Sequence, residues 1–171
     1  GSRELGAYCG SLSKVLSPGL RVGWWIAQPE LLSRAVMCKQ FSDAHTSTFA
    51  QATAAQYLKA GRMPATLRHV REVYAQRAQA MAAALRRELG DAIEFTEPQG
   101  GLFLWARLTG AAGRVADAGE FARRALDQGV AFGPGAPFFA ANPDLASLRL
   151  SFATADVDKI EEGMARLGKA L

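Results

Sequence analysis

The segment GSLSKVLSPGLRVG, residues 10–23, places Lys14 among Ser11, Ser13 and Ser17, turns at Pro18-Gly19, and sets Arg21 before an apolar run. A lysine amine attacks carbonyl carbons once it is partly neutral, a state favoured by a desolvated site or a cationic neighbour. The serine hydroxyls and a guanidinium are donors suited to an anion. A Pro-Gly reversal brings Arg21 back toward Lys14. A lysine in a Ser/Gly-rich loop is ordinarily just solvated, so the rest of the chain has to decide between the two readings. A second candidate, Arg149, alternates with Leu148, Leu150 and Phe152 in SLRLSF; taken alone, such an arginine is usually a surface residue in an ion pair. Gly100-Gly101, in PQGG, suits either a tight hairpin turn or close approach of backbone to a ligand.

These residues have to be held by elements, and composition bounds what the elements can be. The 171 residues are 49% hydrophobic and 21% charged, the range of an ordinary globular chain with one sizeable core. The net charge of +4 is modest and its arginines are scattered, which argues against a nucleic-acid partner. Cys9 and Cys38 lack CxxC spacing, and His45 and His69 have no companion cysteine, so neither a structural metal nor a disulfide framework is expected. No apolar run reaches the roughly 18 residues of a membrane span, and no basic-then-apolar leader precedes the first strand. No membrane partner and a cytoplasmic setting are therefore expected. Gly1-Ser2-Arg3-Glu4 runs almost at once into a strand-like stretch, which reads as a chain beginning mid-domain, with Gly1-Ser2 as a cloning remnant.

Ala7-Tyr8-Cys9 reads as the end of a buried strand and Leu20–Ala27 as another, with the lysine loop between them. Helices are expected over Glu30–Gln40 and Thr48–Ala60. Pro64 opens the strongest one, with Leu67, Val70, Tyr74, Ala78, Met81, Leu85 and Leu89 three or four residues apart and Gly90 as a stop. Arg68, Arg71, Arg77, Arg86 and Arg87 point in several directions and read as a solvated face, not a basic recognition helix. Ile93–Thr96 and Leu102–Leu108 read as an antiparallel pair with Phe103 and Trp105 on one face. Asp117 and Glu120 have capping-box spacing ahead of a helix that ends at Gly129. Val130-Ala131-Phe132 follows that helix, Ser147–Phe152 reads as a strand with one polar face, and Val157, Ile160, Met164, Leu167 and Leu171 mark a last helix. The order of long helices and short strands predicts an α/β or α+β fold, with residues 1–45 as one segment and 46–171 as a compact unit able to fold alone.

Four motifs in order, GSLSKVLSPGLRVG, PQGGLFLWARL, VAFGPGAPFF and LRLSFA, resemble the fold-type I pyridoxal-phosphate aminotransferases along essentially the whole chain. The stretch KQFSDAHTST and the pattern GxxPATLRHVRxxYxxR are similar to the 2-aminoadipate and the aromatic or branched-chain transaminases. The resemblance implies that residues 1–45 are a remnant of the cofactor-binding large domain, with the lysine loop and the strand after it, and 46–171 the C-terminal small domain, a short antiparallel sheet packed on helices. It implies that Lys14 forms the Schiff base with pyridoxal 5'-phosphate and, once freed, carries a proton between the substrate Cα and the cofactor. Ser11, Ser13 and Arg21 would hold the phosphate, Arg149 would grip the α-carboxylate of the substrate, and Gly101 would let the backbone approach it. His45 with Asp43 is assigned by the same resemblance to structure or subunit contact; Trp24, Trp25, Phe138 and Phe139, from their residue type, read as core or interface packing instead of a cofactor stack.

The implied activity is transfer of an amino group from an amino acid to a 2-oxo acid, 2-oxoglutarate or pyruvate, by a homodimer. The family's pyridine-binding Asp, its Asn or Tyr at the ring hydroxyl, its stacking aromatic and its Gly-rich helix start would lie upstream of the lysine and have no match here. This chain alone is therefore expected to have little or no transaminase activity. The same fold also serves as the effector-sensing domain of regulators fused to a winged-helix DNA-binding domain, which would bind the cofactor through the same lysine. A noncatalytic module would instead keep the motif with an unreactive Lys14.

Overall fold

The computed structural model describes residues 6–111 and 115–171; the expectations for Gly1-Ser2-Arg3-Glu4 lie outside the described residues. The chain divides into two compact units, Gly1–Val70 and Arg71–Leu171. The boundary anticipated after residue 45 falls inside the first of them.

In the first unit, strands β1 (Tyr8–Ser11) and β2 (Gly23–Ile26) form an antiparallel pair, with Tyr8 opposite Ile26 and Ser11 opposite Gly23. Both were expected as strands, but not at this exposure: Tyr8 is 61% and Ile26 64% accessible. Among the described residues no third strand pairs with either, so apolar side chains on both faces of the ribbon find no cover. Strand β2 is shorter than expected because Pro18–Leu20 form a single 3-10 turn. Helix α1 (Pro29–Asp43) starts on its proline, whose missing N–H costs nothing at a first helical position. Helix α2 (Thr48–Lys59) is capped by the Ser47 hydroxyl, which accepts from the Ala50 amide. Leu12, Ala50 and Ala54 are the buried apolar residues described in this unit.

Helix α3 (Met63–Leu89, 27 residues) begins in the first unit and supplies the second with its spine. Its C-terminal half buries Ala78, Met81, Ala82, Ala84, Leu85 and Leu89, whereas Leu67, Val70 and Tyr74 are only half-buried. The face is apolar as its 3.6-residue period requires, and alanines let the sheet come close. The arginines of this helix are less free than expected. Arg77 donates to the Ala153 carbonyl at 2.6 Å, Arg86 pairs with Glu97 and covers the Phe95 ring, and Arg87 reaches Glu161 at 2.5 Å.

Strands β3 (Ile93–Phe95), β4 (Phe103–Leu108), β5 (Gly133–Pro134) and β6 (Ser147–Ser151) form one antiparallel sheet in the order β3-β4-β6-β5. Alternation along β4 buries Leu104, Ala106 and Leu108 and exposes Phe103, Trp105 and Arg107. Helix α4 (Ala118–Asp127) starts where the Asp117 carboxylate accepts from the Glu120 amide, as the capping-box spacing predicts. The second half of the box is not closed, because Glu120 turns to Arg124. Helix α5 (Val157–Lys169) buries Ile160, Met164 and Leu167. Phe121, Phe152, Leu85, Leu104, Leu148 and Leu167 meet in one core, each almost fully enclosed.

After α4 the short strand β5 falls at Gly133–Pro134. Val130 and Phe132 are half-buried against the core, and the Val130 amide returns to the Ala125 carbonyl to close α4. Their apolar character reflects packing of a connection, not a sheet ladder. Ser147, expected on the polar face of β6, is buried at 2% exposure because its hydroxyl donates to Asp144 at 2.7 Å.

Candidate active site

The lysine loop is built around Leu12. Its amide donates to the Val22 carbonyl at 3.0 Å, its carbonyl accepts from Val15, Leu16 and Ser17, and its side chain is buried. Those bonds wind residues 12–17 into a turn that leaves Lys14 exposed between two serines. The Ser13 amide donates to Ser11 Oγ at 3.0 Å. Arg21 takes the left-handed conformation, φ 52°, unusual for a residue with a side chain, and both its amide and Nη1 donate to the Pro18 carbonyl. From there Nη1 reaches Ser13 Oγ at 3.4 Å, eight residues back.

In these bonds Ser11 Oγ and Ser13 Oγ act as acceptors, so both hydroxyl hydrogens remain for an outside oxygen. Two hydroxyls and one guanidinium within a single loop fit a phosphate dianion, with Lys14 carried by the same turn. Arg21 also lines a cleft of about 390 Å³ with Thr46, Ser47 and Phe49. Asp43 is held by Lys39 at 2.8 Å and His45 Nδ1 lies 2.9 Å from the Thr46 carbonyl oxygen, local bonds that suit the structural role expected for this pair.

Arg149 and Gly101 belong to the second unit. Gly101 has φ +81°, a conformation that glycine adopts without strain, and it lines a cleft of about 490 Å³ with Arg71, Tyr74, Gln99 and Phe152. Arg149 is half-buried on β6, directly opposite Trp105 of β4. Among the described residues no carboxylate pairs with it. Asp144 and Glu94 both hold Arg107, at 3.0 and 3.4 Å. What Arg149 touches is aromatic, with its guanidinium carbon 4.2 Å from the centroids of both Phe103 and Phe138.

Phe138 and Phe139 were expected in the core or an interface, and Trp24 and Trp25 likewise. In the chain all four are exposed, Trp25 and Phe138 at 52%. For Phe138 and Phe139 the reason is position. Phe138 ends a 3-10 turn outside the sheet and Phe139 follows it, and both rings contact Trp105, at centroid distances of 5.9 and 6.1 Å, on the sheet face away from the core. The β4 alternation already puts Phe103 and Trp105 on the outer face, but Phe138 lies in an irregular connection and carries no periodic signal.

The model of the family described as aminotransferase class I and II matches residues 2–167. The chain belongs to that family. A 2-aminoadipate transaminase of Thermus thermophilus is 46% identical over 164 residues, covering 96% of this chain and 40% of that protein. The crystal structure of the alpha-aminoadipate aminotransferase of Thermus thermophilus, complexed with N-(5'-phosphopyridoxyl)-L-leucine, superposes with a TM-score of 0.89 at 45% identity, covering 96% of this chain and 41% of that one. A probable rhizopine catabolism regulatory protein of Rhizobium meliloti is 30% identical over 163 residues, covering 95% of this chain and 32% of its own length. The chain thus spans about two fifths of the length of the aminotransferases it matches. The mixed α/β architecture with short antiparallel sheets is that of these aminotransferase structures.

Proposed function

We propose that this aminotransferase-family chain carries the lysine, the phosphate donors and the carboxylate-binding arginine of a pyridoxal-phosphate-dependent transaminase. The observation that carries the reading is the lysine loop, where Arg21 closes back on Ser13 and two hydroxyl hydrogens are left uncommitted around an exposed Lys14. Bound pyridoxal 5'-phosphate would supply an aldehyde for the Lys14 amine and a ring that withdraws electrons from the Cα of an amino acid. Ser11 and Ser13 donate to the phosphate through their hydroxyls, and Arg21 adds a charge-assisted pair. Lys14 Nζ, when free, takes up the proton lost from the substrate Cα and returns it. Arg149 binds the α-carboxylate through two parallel N–H bonds, which orients the Cα–H bond, and Gly101 offers backbone without a Cβ to crowd the substrate. An amino acid and a 2-oxo acid are the substrates, a homodimer the working assembly and the cytoplasm its setting. Transaminase activity of these residues by themselves is expected to be small.

The test is to mix the chain with pyridoxal 5'-phosphate, reduce with borohydride and map the added mass, with Lys14→Ala as control. Label confined to the Lys14 peptide and lost in the variant is the expected result. Label spread over surface lysines and unchanged by Lys14→Ala overturns the reading. The likeness to the rhizobial regulator over 95% of this chain supports a second reading, an effector-binding domain that uses the same lysine. The two part on turnover, since only a transaminase releases a 2-oxo acid from an added amino acid.

A further inference from the structure

We infer that Phe103 and Phe138 are positioning residues that clamp the Arg149 guanidinium and present its N–H edge to a substrate carboxylate. The inference rests on the assignment of Arg149 above and specifies how that site is built. Phe103 sits diagonally from Arg149 on the same sheet face, since the register pairs Phe103 with Ser151 and Trp105 with Arg149. Phe138 arrives from the 3-10 turn that precedes β6 and meets the Trp105 ring edge-on, at an interplanar angle of 82°. Trp105 thus braces one ring of the clamp and backs the arginine from the opposite strand. Both rings lie 4.2 Å from the guanidinium carbon, within the range of a cation–π contact.

Three consequences follow from this arrangement. A ring over the guanidinium carbon attracts the cation without taking up its N–H donors as an acid would, and leaves them for a carboxylate. The rings occupy space where water would otherwise solvate the cation, so an incoming carboxylate displaces less of it. Contacts on two rings restrict a long side chain that is otherwise costly to order on binding. An ion pair would have held Arg149 just as firmly, but it would have used the donors the substrate needs. The aromatic clamp fixes the side chain and keeps those donors open.

The test reads Arg149 itself, with the ¹⁵N-labelled chain and acetate as the probe. The Arg149 Nε–Hε signal, assigned by its loss in Arg149→Lys, is expected to be displaced by the ring currents of the two phenylalanines and to move saturably with acetate. Phe138→Leu and Phe103→Leu should each reduce the ring-current displacement and weaken acetate binding at Arg149 about two- to fivefold. Phe138→Tyr keeps a ring and should bind as wild type does. Wild-type affinity in both leucine variants, or an equal loss in Phe138→Tyr and Phe138→Leu, overturns the clamp and leaves Arg149 as the carboxylate ligand. An Arg149 signal that acetate does not move in the wild-type chain overturns the clamp together with that assignment. Labelling of Lys14 is read separately, so failure of the cofactor site and failure of the clamp are told apart. A variant that loses the wild-type amide spectrum is replaced by the substitution at the other ring.

Discussion

Asp144 accepts from the Ser147 hydroxyl at 2.7 Å, from the Ala146 amide at 3.0 Å and from Arg107 Nε at 3.0 Å. All three bonds favour the charged form, the Ser147 hydroxyl most, and hold this carboxyl below its ordinary value of 3.8. A carboxyl whose pKa is depressed by folding contributes stability above its unfolded value and loses that contribution as pH falls through the folded value. The difference in urea midpoint between the wild-type chain and Asp144→Asn should therefore be constant near neutrality and shrink once pH drops below about 4. A difference that persists unchanged at about pH 2.5 would refute this. Asp156, lowered mainly by the Lys159 amide it caps, adds its own acid sensitivity in both proteins, which the comparison cancels. Arg149, two residues beyond Ser147, lies outside this acidic hub and pairs with no carboxylate among the described residues.

Just past β5, Gly135 meets β6 so closely that a side chain there would clash with Ser147. A Cβ on Gly135 would lie 2.6 Å from Ser147 Cβ and 2.8 Å from the Ser147 carbonyl carbon and oxygen, backbone atoms that cannot swing aside. The Gly135 amide donates to that same carbonyl at 2.6 Å. Its φ of −79° is open to any residue, so the constraint is steric and not conformational. Gly135→Ala should destabilise the chain by about 1–3 kcal/mol, read as a lower denaturant midpoint with the slope unchanged. Because the 3-10 turn that carries Phe138 starts from Gly135, the same variant should also perturb the Arg149 signal. A midpoint equal to wild type would mean that β5 gives way without cost.

At the scale of the molecule the two units differ in how much each buries. The second unit has a contiguous core drawn from α3, α4, α5 and the four-stranded sheet. In the first unit many large apolar side chains stay accessible, Phe41 at 84% and Phe49 at 81% among them. Exposed apolar area of that extent is what interaction surfaces show, in keeping with the homodimer proposed above. Hydrogen exchange should follow burial: amides of β4, β6 and the C-terminal half of α3 should be the last to exchange, and those of β1, β2 and α1 among the first. Equal protection of both sets, measured by mass spectrometry on the chain, would show that the first unit has stability these contacts do not supply.

Much of the element map was legible because it depends on local periodicity and capping. Helices α4 and α5, the Asp117 cap and the inward residues of β4 and β6 all stood where 3.6-residue and two-residue patterns put them. The family was legible too, from four ordered motifs, which need no tertiary contact to be recognised. The exposure of Tyr8 and Trp25 was not legible, since apolar composition says what a strand can bury and not what covers it. Nor was the strand at Gly133–Pro134, since a two-residue Gly-Pro strand carries no alternating pattern. The sequence by itself thus determined the family, the order of the elements and the identity of Lys14, Arg21 and Arg149 as candidates. Only the tertiary structure decided that Arg21 closes on Ser13 and that Arg149 faces two rings instead of an acid. Those outcomes depend on a left-handed residue, a strand register and an irregular turn, which bring together side chains that no sequence period relates.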